Sequence, residues 1–135
     1  MRKHGVRRIL ASTTVSYVDD GDSFVLSRWL IVQFIKTFVP GAYDAVTGIA
    51  GAFKGLSDGE IEWTVFRVCG IPGGSSEEEW RRDREDGGVY VGPVGKGWST
   101  SLRRGRLARW LVDVVEGEGG KELVGRMPAV SWARG

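Results

Sequence analysis

Ile61-Glu62-Trp63-Thr64-Val65-Phe66-Arg67-Val68 is the stretch that decides the fold. It is rich in β-branched and aromatic side chains, which pack well on a pleated surface and crowd the preceding turn of a helix. The run reads as a strand, bounded by Ser57-Asp58-Gly59 before it and by a loop from Gly70 to Ser76 after it. An earlier run, Gly5 to Thr14 (GVRRILASTT), reads as a short buried strand that ends in small hydroxyl residues. The intervening chain is long and helical in pattern, which suits the crossover that parallel pairing requires. The two strands are therefore expected to be adjacent and parallel.

Tyr17 to Ser23 is a polar turn punctuated by Asp19-Asp20-Gly21-Asp22. Ser27 is placed to cap a helix from about Arg28 to Phe38, whose apolar residues cover more than one face, so it is expected to be well buried. Pro40 suits the first turn of a second helix, running to about Leu56 with Ala45, Ile49, Ala52 and Phe53 inward. Glu77 to Glu85 (EEEWRRDRE) has the i,i+4 charge pairs Glu77–Arg81 and Glu78–Arg82 and reads as a solvated helix or lid. Gly88 to Val94 is a short strand. Thr100 or Ser101 caps a helix to Glu116, with Leu107, Trp110, Leu111 and Val114 as its stripe, and Gly117 stops it. Leu123-Val124-Gly125 is expected to be a last edge strand before a loose tail. The alternation of strands and helices predicts an α/β fold with a mostly parallel sheet in a single domain over 1–135.

Composition narrows the function classes. A net charge of +2 gives no reason to expect nucleic acid or an acidic membrane as partner. The one cysteine, Cys69, can form neither an internal disulfide nor a zinc site, and it fits a reducing, cytoplasmic location. His4, the single histidine, supports neither a catalytic triad nor a metal centre. The densest apolar stretch, Trp29 to Val39, is interrupted by Gln33 and Lys36.

Three segments in order carry a family resemblance. Gly5-Val6-Arg7-Arg8-Ile9-Leu10-Ala11-Ser12-Thr13-Thr14 is similar to the G-V-x-R-h-h-x-x-S-S strand of NmrA-like, atypical short-chain dehydrogenase/reductases. Ile61 to Arg67 resembles their L-D-W-T-h-h-R-P strand, and Ser101 to Glu116, with Leu107-Ala108, resembles their S-R-x-D-L-A helix. The resemblance implies a Rossmann-like NAD(P)-binding fold, of which the chain is the C-terminal half, with NAD(P)(H) across the carboxyl ends of the strands. It places Ser12, Thr13, Val68, Cys69, Gly70 and Ile71 at the cofactor, and Thr14 and Tyr43 at the chemistry.

Departures from the family pattern are as informative. No glycine loop of the G-x-x-G-x-x-G kind, which lets backbone N–H groups approach a pyrophosphate, follows a strand here. Gly48-Ile49-Ala50-Gly51 lies within a helix pattern, and Gly92-Pro93-Val94-Gly95-Lys96-Gly97 has the wrong spacing. The Tyr-x-x-x-Lys pair is incomplete: Tyr43 is the best tyrosine, Val46 is read at the lysine's place, and Lys54 is too far along. Val68 stands where the family has proline, and Arg106 where it has aspartate. The early start of the first strand suggests a missing upstream segment.

Each candidate has a plainer reading beside it. Ser12, Thr13 and Thr14 bind a ligand or satisfy backbone at a strand end; Tyr43 donates a proton or simply packs. Cys69 is read as an inert buried cysteine. Arg103, Arg104, Arg106 and Arg109 mark a solvated face rather than an anion site. A reductase or a cofactor sensor is the leading reading, against a non-catalytic interaction module or a truncated product. A nicotinamide nucleotide, bound when the missing half is present, is the expected partner, with self-association through an exposed sheet edge. An isolated chain is expected to be insoluble, molten or dimeric through that edge, because Ile9, Leu10, Val65 and Phe66 lose covering helices.

Overall fold

A computed structural model describes residues 5–56, 59, 61–85 and 87–133. Its elements are β1 (Arg8–Thr14), α1 (Leu26–Phe38), α2 (Pro40–Lys54), β2 (Glu62–Val68), α3 (Glu77–Glu85), β3 (Val89–Gly92), α4 (Arg104–Glu116), a 3-10 turn (Glu118–Leu123) and β4 (Ala129–Trp132). His4, Ser57 and Asp58 lie outside the described residues.

The two strands read from sequence pair in parallel over their whole length, from Arg8 opposite Glu62 to Thr14 opposite Val68. Alternation along β2 sends Val65 to one face of the sheet, against Ala50 of α2 and Met127. Phe66 and Val68 go to the other, against Leu107, Trp110 and Val114 of α4. The predicted stripe of α4 is therefore its core face, and Phe66 meets Trp110 edge-on at 5.6 Å between ring centroids.

The sheet order is β1-β2-β4-β3, with β3 antiparallel to β4. This corrects the reading of the C-terminal region. Leu123 closes the 3-10 turn, and Val124-Gly125 form no strand. The segment taken as a loose tail holds β4, a central strand whose Ala129, Val130 and Ser131 are buried. Its four residues are too short to show a period, and Pro128 just before it reads as a breaker.

The helices depart in detail. α1 begins at Leu26 and its N-cap, Val25, offers no side-chain bond, so Ser27 lies inside the helix. It is not buried: Arg28 is its one buried residue, and Phe34 and Phe38 are 62% and 68% exposed. α2 turns Ala50 inward, with Tyr43, Val46 and Phe53 half-buried, whereas Ala45, Ile49 and Ala52 face out. α4 starts at Arg104 and is capped neither by Thr100 nor by Ser101. Its cap comes from α3: the Gly105 N–H donates to Asp83 Oδ2 at 3.3 Å, and Arg103 pairs with Asp83 Oδ1 at 3.0 Å. A carboxylate at a helix N-terminus is favourable there. α3 is therefore only partly solvated. Glu77–Arg81 pairs as expected, while Arg82 lies near Glu79 instead of Glu78. Only a glycine at 105 lets the helices come this close, since a Cβ would sit 2.9 Å from that of Asp83.

Val65 and Phe66 remain buried at 0% and 6% exposure, contrary to the expectation that they lose their cover; Ile9 and Leu10 are half-buried. Among the described residues, β1 has a neighbouring strand on one side only.

A buried ionic knot fixes the long connection after β1. Asp22, with a side chain 1% exposed, accepts from both ends of the Arg67 guanidinium at 2.5 and 2.8 Å. Arg28 lies 3.3 Å from the same carboxylate. The two arginines also donate to the Val15, Tyr17 and Met127 carbonyls. Asp22 further accepts the N–H groups of Asp19 and Val94. Burial alone would raise the Asp22 pKa, but the hydrogen bonds from Arg67, Asp19 and Val94, with the Arg67 charge, outweigh it and hold it below the ordinary value.

Two predictions follow from the knot. Arg67→Met leaves the buried Asp22 carboxylate only the longer ion pair with Arg28 and lowers stability by about 3–5 kcal/mol, read by urea unfolding on the tryptophan fluorescence. A loss under about 1 kcal/mol, the worth of an exposed pair, would show that the pair is not structural. With the folded pKa of Asp22 depressed, its stabilisation is complete above the unfolded value near 3.8. That stabilisation is lost as pH falls through the folded value. The Asp22→Asn variant is expected to be less stable at neutral pH and to lose less of its remaining stability across that acid range.

Candidate functional site

β1 and β2 end side by side, and their carboxyl ends carry most of the candidate residues. Thr14 is opposite Val68, and the Val15 N–H donates to the Val68 carbonyl at 3.2 Å. Thr13 is 3% exposed and its hydroxyl donates to the Val46 carbonyl of α2 at 2.6 Å. That bond clamps α2 to the end of β1, and it spends the Thr13 hydroxyl on backbone. Thr14 lies on the opposite face. Its Oγ1 accepts from the Ser16 N–H at 3.2 Å, and its own proton has no acceptor among the described residues. Ser12 is exposed, and its hydroxyl has no partner among them.

Tyr43 stands just under one turn before Val46, so the clamp also brings it to the carboxyl end of β1. Four residues after Tyr43, where Tyr-x-x-x-Lys places its lysine, the residue is Thr47; Val46 is one short. The Thr47 hydroxyl donates back to the Tyr43 carbonyl at 2.8 Å. A cation is nevertheless present: Lys36 of α1 lies over the Tyr43 ring, 4.7 Å from its centroid. Sequence spacing could not show this, because the lysine comes from the preceding helix. Lys54 lies at the far end of α2, beside Asp19 at 3.5 Å and Asp20 at 3.8 Å.

The strip after β2 offers less surface than the resemblance implies. Val68 is buried in the α4 core. The Gly70 N–H donates to the Thr100 carbonyl, and the Gly70 carbonyl accepts from Leu102, so its backbone is already paired. A Cβ there would sit 3.2 Å from the Thr100 oxygen, tighter than an ordinary contact. Ile71 is 39% exposed and is the open residue of the strip. Cys69 packs against the cluster of Val15, Val94, Trp98 and Ala129. Burial raises its pKa, and Arg67 is committed to Asp22 and backbone carbonyls.

A cavity of about 540 Å³ lies elsewhere. It is bounded by Lys54, Trp63, Pro93, Leu123, Arg126 and Met127, toward the entry of β2 and β4, and it touches none of the candidates above. The turn from Gly92 to Gly97 serves the Asp22 loop, since the Val94 N–H donates to Asp22 and its carbonyl accepts from Ser23. The α4 arginines are partly matched, though not by Glu77 to Glu79: Arg103 takes Asp83, Arg106 the Arg84 carbonyl, and Arg109 takes Asp113. No group of three or more His, Cys, Asp or Glu that could hold a metal occurs among the described residues, and no helix among them is long and apolar enough to cross a membrane.

No family model and no curated protein matches the sequence. Solved structures do match. The chain is similar to a short-chain dehydrogenase/reductase of Veillonella parvula crystallised in complex with NADP, at 11% identity and a TM-score of 0.63 over 96% of this chain and 52% of that one. It is also similar to a putative NAD-dependent epimerase/dehydratase from Bacillus halodurans, at 17% identity and a TM-score of 0.58, covering 98% and 49%. The chain thus has the Rossmann-like fold of these proteins and spans about half the length of the structures it matches.

Cys69 provides a direct check on the site's electrostatics. With thiolate formation suppressed by burial, its reaction with iodoacetamide at pH 7.5 is expected to be about tenfold or more slower than that of free cysteine. A rate equal to free cysteine would show an open, unburied thiol.

Proposed function

We propose that this chain forms the nicotinamide-facing part of an NAD(P)-binding domain of the NmrA-like, atypical short-chain dehydrogenase/reductase type, acting in cofactor sensing more than in reduction. The observation that supports this reading is the parallel pairing of β1 and β2: their carboxyl ends carry Ser12, Thr14 and, just beyond, Ile71, and the Thr13–Val46 bond holds the helix of Tyr43 to the same end. Rossmann-like folds receive their ligands at such strand ends. In this reading Ser12 and Thr14 offer hydroxyls to the nicotinamide carboxamide. Ile71 packs on the ring, with Cys69 and Gly70 as its support, and Thr13 and Val68 hold the strand ends in place. A reductase would use Tyr43 as the proton donor to a substrate oxygen.

Sensing is favoured by the Tyr43 surroundings. Thr47 occupies the lysine's place, and the Lys36 ammonium lies over the ring face, where it cannot hold the phenol as a lysine along the same helix does. The partner in this reading is a nicotinamide nucleotide, with no nucleic acid and no membrane, in a cytoplasmic setting. The open side of β1 is the edge on which a further strand adds.

Two titrations test the proposal. Nicotinamide mononucleotide is expected to shift the backbone amide resonances of residues 12–14 and 69–71 in a saturable way. Shifts confined to other residues would sink the assignment. NADPH is expected to bind this 135-residue chain more weakly than micromolar, which would need ~8 kcal/mol, because no glycine loop is available for its pyrophosphate. Quenching of the six tryptophans with a micromolar midpoint would refute that.

A further inference from the structure

The outer face of α1 is the most unusual surface of the molecule. Phe24, just before the helix, is 77% exposed, and Leu26, Leu30, Phe34 and Phe38 are 60%, 54%, 62% and 68% exposed. The last four are spaced four residues apart, so they form one row along the helix. Trp29 flanks the row at 48% exposure, and the Phe34 and Phe38 rings lie 4.7 Å apart. The row is not an accident of a loosely held helix. Arg28 points the opposite way and is tied to Val15, Tyr17 and Asp22, so the knot that orients α1 also turns its apolar side to solvent.

We infer that this face binds a second copy of the same chain, row against row, about a two-fold axis. Four observations single out that occupant. An aromatic side chain buries ~150–250 Å²; on that scale the exposed parts of these six residues amount to on the order of 600–700 Å². That approaches the ~800 Å² each partner contributes to a standard interface, and it exceeds the few hundred Å² usual for a monomer's apolar patch.

The row is also compatible with itself. α1 carries no acidic residue, and its two cations are engaged elsewhere, Arg28 inward and Lys36 over Tyr43. Two copies can therefore meet without bringing like charges together, whereas a charged partner would find no complementary group in the row. A row of i,i+4 side chains is also the ridge that packs into its own copy in the commonest class of helix crossing. Finally, a net charge of +2 opposes the approach of two copies only weakly.

This inference does not depend on the nicotinamide reading, and it places self-association on α1 rather than on the open edge of β1. The test is sedimentation of the full chain over a range of concentrations, beside the variants Phe34→Asp and Ser12→Lys. A dimer is expected for the natural sequence and for Ser12→Lys, which places a charge on the edge strand. Phe34→Asp is expected to raise the dimer Kd by about thirtyfold or more, with unchanged far-ultraviolet circular dichroism.

Should Phe34→Asp fail to fold, Leu30→Cys in a Cys69→Ser background supplies the second readout. A short bis-maleimide is then expected to link two copies in high yield. A monomer at every concentration overturns the inference, as does a dimer lost in Ser12→Lys but kept in Phe34→Asp. A monomer that floats with phosphatidylcholine–phosphatidylglycerol vesicles, and ceases to do so in Phe34→Asp, assigns the face to lipid and overturns it as well.

Discussion

The carboxylate of Asp22 is the constraint on which most of this molecule depends. It is buried between two guanidinium groups, one from the middle of the sheet and one from the first helix, and it also receives two backbone N–H groups. Taking three charges out of water is expensive, and the cost is offset only when geometry and hydrogen bonding are complete. Here they are. The bonds reach the chain at Val15, Tyr17, Asp19, Val94 and Met127, so one acid fixes the connection after β1, the orientation of α1, the turn after β3 and the entry to β4. Replacing Asp22 would leave two buried guanidinium groups without their carboxylate, and replacing Arg67 would leave Asp22 only the longer ion pair with Arg28, so the knot operates as a unit.

The same knot determines what the strand ends can offer. By drawing the Tyr17–Ser23 segment over the sheet and consuming Arg67, it leaves the thiol of Cys69 without a cation. By anchoring α1 it also brings Lys36 to Tyr43. The cation near that phenol is thus supplied by tertiary structure, not by helical periodicity. The candidate site and the apolar face of α1 are two outcomes of one electrostatic decision made at Asp22.

How much of this was legible in the sequence follows from the range of the forces involved. The strand pair was readable because β-branched and aromatic runs report local backbone preference, and the crossover length then fixes parallel pairing. The inward stripe of α4 was readable for the same local reason. Burial of α1 was misjudged because an apolar residue is evidence of burial only if something is there to cover it, and pattern does not supply the cover. β4 was missed because four residues carry too little periodicity, and Pro128 masks their onset. Asp22 looked like turn punctuation because its partners lie 6 and 45 residues away. Likewise, the cap of α4 is donated by Asp83 of another helix, so no residue near its start could reveal it.

The position of β4 bears on biosynthesis. The strand that joins β2 to β3 comes after the other described elements, so these strands cannot all pair while its residues are still within the ribosome. Until then the edge of β2 that receives β4 is open, and β3 has no partner. Parallel, sequence-distant pairing is intrinsically slow. The nascent chain therefore passes through an interval with Val65, Phe66 and Val68 translated but not yet sealed by β4, a stage at which a holdase chaperone has apolar surface to bind.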